Sequence, residues 1–137
     1  VWNHPEVSLL LSGMGTMEQV EQNLAAASRF QTGGLTPEEL ALVRSIRDAY
    51  QARIQVPCTG CRYCMPCPRG VDIPGLFGLL NEGAMFETWD AQRQRYGRMK
   101  EAKTTPDVCI RCGACEKKCP QQISIRDQLG VVASRFT

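Results

Sequence analysis

The chain has 137 residues, 43% of them hydrophobic and 22% charged, with a formal net charge of +2. That length suits one ordinary domain or two small ones, and the composition excludes a disordered chain. A near-balanced charge with no dense basic run gives no expectation of nucleic-acid binding, and no apolar run is long enough to span a bilayer.

Val7–Leu11 of "EVSLLLSGMGT" form a short apolar run that ends at Gly13 and Gly15, which predicts a strand leaving into a loop. Thr16, with Gln19 three residues on, is a capping box and predicts a helix over 17–28, with Val20, Leu24 and Ala27 on one face. After a break at 30–35, Thr36, Pro37 and Glu39 start a second helix, expected over 37–53. Its apolar stripe is Leu42, Val43, Ile46, Ala49 and Tyr50. Asp72 caps an apolar helix running to about Leu80, and a more polar helix is expected over 88–99. Ser124, with Asp127 three residues later, starts the last helix, whose buried face is Ile125, Leu129, Val132 and Phe136. Both cysteine-rich loops are therefore followed by a helix.

All eight cysteines fall in those two loops: Cys58, Cys61, Cys64 and Cys67, then Cys109, Cys112, Cys115 and Cys119. Disulfide frameworks scatter cysteines to staple distant loops, whereas fixed close spacing favours metal. "CIRCGACEKKCP" reads C-x2-C-x2-C-x3-C-P, the bacterial ligand run for a 4Fe-4S cluster. Thiolates two residues apart let one coil of backbone wrap a compact cube, with intervening amides free to donate to its sulfurs. Gly113 permits the tight turn, and Pro120 fixes the chain direction beyond Cys119. In two-cluster proteins the last cysteine of a run serves the other cluster. The expected sets are therefore Cys58, Cys61 and Cys64 with Cys119, and Cys109, Cys112 and Cys115 with Cys67. The first run is one residue shorter before its last cysteine. That is tolerable if Cys67 serves the second cube. Crossed ligation would staple the loops together, so removing iron should loosen the fold.

The competing reading is a structural metal module, in which zinc or iron staples a helical domain. Zinc sites use C-x2-C pairs separated by a long arm and often include histidine. Here three x2 steps follow one another in the first run, and the lone His4 is far from both loops. Arg62, Arg69, Arg111, Lys117 and Lys118 flank the cysteines. They either offset cluster charge and raise the reduction potential or form a solvated basic face. Tyr63 and Met65 are read as packing.

Residues 68–108 hold two predicted helices where compact ferredoxins have a shorter spacer, so the layout resembles the α-helical ferredoxins. Further upstream, "HPEVSLLLSGMGTMEQVEQN" resembles the last strand and helix of an aldo/keto reductase barrel. Together with "VPCTGCRYCMPCPRGVDIP", the chain resembles the C-terminal part of ferredoxin-containing aldo/keto reductases. The resemblance implies a mostly α fold: an α-helical ferredoxin-like two-cluster domain with a short strand–helix remnant of a (β/α)8 barrel. The remnant would span 1–31, a connecting helix 32–56 and the two-cluster domain 57–137. Ser12, Gly13, Gly15, Gln19 and Asn23 would then touch the adenosine end of NADP(H) or NAD(H) in the intact enzyme, at a helix N-terminus suited to phosphate. Gly15 stands where many relatives have Arg or Ser.

The barrel's catalytic Asp, Tyr, Lys and His have no matching motif, so no catalytic residue is assigned and the chain by itself should not reduce carbonyls. The expected function is electron transfer through two 4Fe-4S clusters, as part of an aldo/keto-reductase-like oxidoreductase. Its expected partners are the upstream barrel and an electron donor or acceptor, with neither nucleic acid nor membrane. A lone strand at 7–11 would offer an edge for homodimerisation. A first residue of Val1 leads us to expect a longer parent chain. A reducing cytoplasm is expected from the thiol clusters and the missing export signal.

Overall fold

A computed structural model describes residues 1–136. The chain divides into two compact units, Val1–Arg47 and Asp48–Thr137. Six α-helices occur among the described residues: α1 (Met17–Arg29), α2 (Pro37–Gln51), α3 (Ile73–Phe86), α4 (Trp89–Glu101), α5 (Ala114–Lys117) and α6 (Ile125–Phe136). A single 3-10 turn, Pro106–Val108, lies between α4 and α5.

In the first unit, the Thr16 hydroxyl accepts the Gln19 amide, and the Gln19 side chain accepts the Thr16 amide at 3.2 Å, closing the capping box of α1. Thr36 and Glu39 make the same reciprocal pair at the start of α2, at 3.2 and 2.8 Å. Trp2 lies against Phe30, ring centroids 5.7 Å apart, and Asn3 ties the 30–35 break by accepting the Leu35 amide at 3.1 Å. No strand occurs among the described residues, and Val7–Leu11 is irregular. That corrects the expected strand. A strand is completed by a neighbour's ladder, and no strand stands beside residues 7–11 among the described residues. Neither α1 nor α2 buries a residue, so the stripe of Leu42, Val43 and Ile46 stays exposed.

The second unit has the core. α3 packs on α4 and α6, and α6 packs on α5 and the 3-10 turn. Ile73, Leu76, Phe77, Leu79 and Leu80 of α3 meet Tyr96 of α4 and Ile125, Leu129 and Val132 of α6. Burying each large aliphatic side chain stabilises by about 1.5–3 kcal/mol. α3 continues six residues past the expected end at Leu80, through Asn81 and Gly83. Asn81 accepts the amides of Gln55 and Val56, both at 2.9 Å, and donates to the Val56 carbonyl at 2.7 Å. These bonds fix the segment that leads into the first cysteine loop. Trp89 and Tyr96 both meet Phe136, at centroid distances of 6.3 and 5.1 Å.

Candidate metal centre

Both cysteine loops have the same backbone design. In the first, Gly60 and Arg62 have φ of 69° and 64°; in the second, Arg111 and Gly113 have φ of 53° and 75°. These are matching places, two residues and four residues after the first cysteine of each run. Each loop thus makes the same left-handed turns, with glycine and arginine exchanged. Glycine adopts this conformation without steric cost, whereas arginine is strained there. The Arg111 strain is offset by its side chain, which donates to the Arg126 carbonyl at 3.3 Å and pairs with Asp127 at 3.2 Å. The Arg111 amide points to the Cys109 sulfur at 3.4 Å.

The thiols stand round two hollows. Cys58, Cys61, Cys64 and Cys119 line one, walled by Phe77, Ile123 and Ile125. Cys67, Cys109, Cys112 and Cys115 line the other, walled by Val71 and Leu129. Cys64 and Ile73 line both and so stand on the shared side of the two hollows. Six of the cysteines rest against the core, while Cys61 and Cys112, the second of each run, are exposed. No three His, Cys, Asp or Glu side chains among the described residues are grouped to hold a single ion. Four sulfurs spread round an apolar hollow suit a cube, in which each iron takes one thiolate. Charge and chemistry therefore fit two 4Fe-4S clusters. The Cys64 thiol is pushed above its usual range, first by burial and then by Cys58, Cys115 and Cys119, with a backbone hydrogen bond opposing. Burial likewise raises Cys115. Binding metal at such thiols displaces their protons.

Several features of the centre were not legible in the sequence. α5 is a single turn inside the second run, and its Glu116 reaches across to α6. Glu116 accepts the Arg126 amide at 2.9 Å and its guanidinium at 2.8 Å, so an acid from α5 caps α6 where Ser124 was expected to do so. The hydrogen bonds to Arg126 hold the Glu116 carboxyl below the usual carboxylate range. Nothing in the spacing from 116 to 126 signals this pair. Tyr63, expected to pack, is 66% exposed.

The residues singled out upstream lie in the first unit. Ser12 and Asn23 join through a 3.1 Å hydrogen bond and line a cavity of about 400 Å³ with Trp2, Leu10 and Leu24. Gln19 folds back on the Gly15 and Thr16 amides, at 2.7 and 3.2 Å. Gly13 and Gly15 complete that turn and are not among the residues of the cavity wall.

No helix among the described residues is long and apolar enough to cross a membrane. Residues 57–124 match the family of 4Fe-4S dicluster domains. The chain is 33% identical over 70 residues to Ferredoxin-3 of Rhodobacter capsulatus, an alignment covering 47% of this chain and 67% of that protein. No solved structure matches the chain. The chain belongs to the 4Fe-4S dicluster ferredoxins, its eight cysteines serving two 4Fe-4S clusters through which it transfers electrons.

Proposed function

We propose that this chain is the electron-relay part of an aldo/keto-reductase-like oxidoreductase, and that it holds its clusters crosswise. Cys58, Cys61, Cys64 and Cys119 ligate one cluster; Cys109, Cys112, Cys115 and Cys67 ligate the other. The observation that carries the ligand reading is the grouping of the thiols round two hollows: Cys119 lines one with Cys58, Cys61 and Cys64, Cys67 lines the other with Cys109, Cys112 and Cys115, and Cys64 lines both. A 4Fe-4S cluster supplies one electron at a time at low potential. The protein's part is to hold the sites adjacent, with Cys64 and Ile73 common to both, and to keep their inner walls apolar. Exposed Cys61 and Cys112 give each site an outward edge where a carrier can approach.

Support for a larger parent comes from the first unit. Leu9, Leu11 and Leu24 are 75%, 90% and 61% exposed, and α1 and α2 bury nothing. Amphipathic helices of this kind bury their apolar stripe against a neighbour. Residues 1–31 are read as the last strand and helix of a barrel, in which Val7–Leu11 gains its ladder from the preceding strands. There Ser12, Gly13, Gly15, Gln19 and Asn23 face the adenosine end of NADP(H) or NAD(H). Residues 32–56 connect, 57–137 form the two-cluster domain, and the protein works in the cytoplasm.

Two experiments test the reading. Cys119→Ser should disturb the cluster of the Cys58 run and Cys67→Ser that of the Cys109 run, resolved by EPR on anaerobically loaded protein. In the longer enzyme, Cys→Ala changes in both loops should abolish electron transfer to the carbonyl-reducing centre. Transfer that survived them would remove the relay role, and measurable NADPH oxidation by this chain by itself would contradict the assignment of carbonyl chemistry to the barrel.

A further inference from the structure

The two hollows differ in charge. Arg62 lines the hollow of the Cys58 run, and its guanidinium lies 3.8 Å from Asp72. Arg69, Lys118 and Arg126 line the hollow of the Cys109 run. Arg126 is neutralised by Glu116 at 2.7 Å. Arg69 and Lys118 have no ion-pair partner among the described residues. One hollow therefore carries two uncompensated cations and the other none. The Arg111 amide, 3.4 Å from the Cys109 sulfur, adds a donor on the same side.

A reduced cluster bears one more negative charge than an oxidised one. A cation or amide donor nearby favours the reduced form and raises the potential. We infer that Arg69 and Lys118 make the two sites unequal, giving the Cys109-run site the higher reduction potential, so that the first electron taken up rests there. The inference rests on the crossed-ligand reading for the identity of that site. Five basic side chains flank the cysteines in sequence. Only these two combine a place on the wall of a hollow with a free charge. Coulomb's law at the effective dielectric of a protein surface, discounted for exposure, gives each about a three- to tenfold effect on the ratio of the two singly reduced forms.

The test is an EPR-monitored redox titration of the full chain, loaded anaerobically, with iron and acid-labile sulfide measured on the same samples. Wild type should take up its electrons in two resolved steps. Arg69→Gln with Lys118→Gln should lower the upper step and bring the two together, changing the ratio about three- to tenfold for each charge removed. Arg69→Lys with Lys118→Arg should restore the separation, which a merely structural role would not require. Arg62→Gln should act on the lower step. An upper step unmoved in the double variant, a lower step that moves as far, or a single unresolved step in wild type would overturn the inference. If such a result came with iron and sulfide for two clusters per chain, the two-site reading would stand and this inference alone would fail. A wild-type chain holding fewer than two clusters would overturn both.

Discussion

Gly83→Ala should destabilise the cluster-binding unit, although the same change in an exposed helix would stabilise it. Gly83 lies inside α3, where glycine costs about 1 kcal/mol relative to alanine. It is buried, and an added methyl would sit 2.5 Å from both Cε3 and Cζ3 of Trp89. The indole has little freedom to retreat. Phe136 lies at a centroid distance of 6.3 Å, and the Arg135 guanidinium stands 3.8 Å from the ring centroid. Overpacking costs about 1–3 kcal/mol. Displacing Trp89 also weakens an aromatic pair and a cation–π contact, each worth about 0.5–1.5 kcal/mol. Against a helix gain of about 1 kcal/mol, the balance is a loss of about 1–3 kcal/mol. For a unit of this size, that lowers an apparent Tm by roughly 5–20 °C. The assay is anaerobic heating at a fixed scan rate, following the visible absorbance of the clusters, because cluster loss makes unfolding irreversible. Trp89→Leu in the Gly83→Ala background should recover part of the loss. A Gly83→Ala chain as stable as wild type, or more so, would refute the packing argument.

Three further outcomes follow from the same structure. Asn81→Ala should leave the Gln55 and Val56 amides without their acceptor, while the Val56 carbonyl keeps the Cys58 amide at 2.7 Å. The change should cost about 1–3 kcal/mol and speed loss of the cluster held by the Cys58 run, measured as bleaching by a chelator. Gly113→Ala, at φ of 75°, should cost about 1–2 kcal/mol in thermal unfolding, whereas Arg111→Gly should relieve strain at φ of 53° and lose only the contacts to α6. Burial, and then Asp107, raises the Tyr96 phenol above its ordinary value. The folded state therefore keeps this proton to higher pH than the unfolded state does. Its contribution is full below the unfolded phenol pKa and is lost as pH rises through the folded one. Denaturant unfolding across the alkaline range should show that loss, and Tyr96→Phe should remove it.

What could be read from the sequence was the local chemistry. Thr16 with Gln19 and Thr36 with Glu39 start helices because each box satisfies amides within four residues of itself. The cysteine runs announce their metal because thiol spacing is itself the coordination geometry. Readings that depended on distant partners fared differently. Val7–Leu11 has a strand's composition and no strand to pair with among the described residues. The end of α3 was hidden because Asn81 and Gly83 look like helix breakers, while Asn81 bonds to residues 55 and 56 and Gly83 makes room for Trp89. Five basic residues near the cysteines were equivalent in sequence; in space Arg62 and Arg111 pair with Asp72 and Asp127, Lys117 lies off both hollow walls, and Arg69 and Lys118 line one hollow without an ion pair among the described residues. The role of Glu116 likewise depends on α5 forming a turn that aims it at the start of α6.

An iron anomalous map from anaerobically grown crystals of the loaded chain tests the crossed ligation most directly. Crossed ligation predicts two iron peaks, one bonded by Cys119 together with Cys58, Cys61 and Cys64 and the other by Cys67 together with Cys109, Cys112 and Cys115. Peaks in which Cys67 and Cys119 each bind beside their own run, or a single mononuclear metal at either loop, would contradict it.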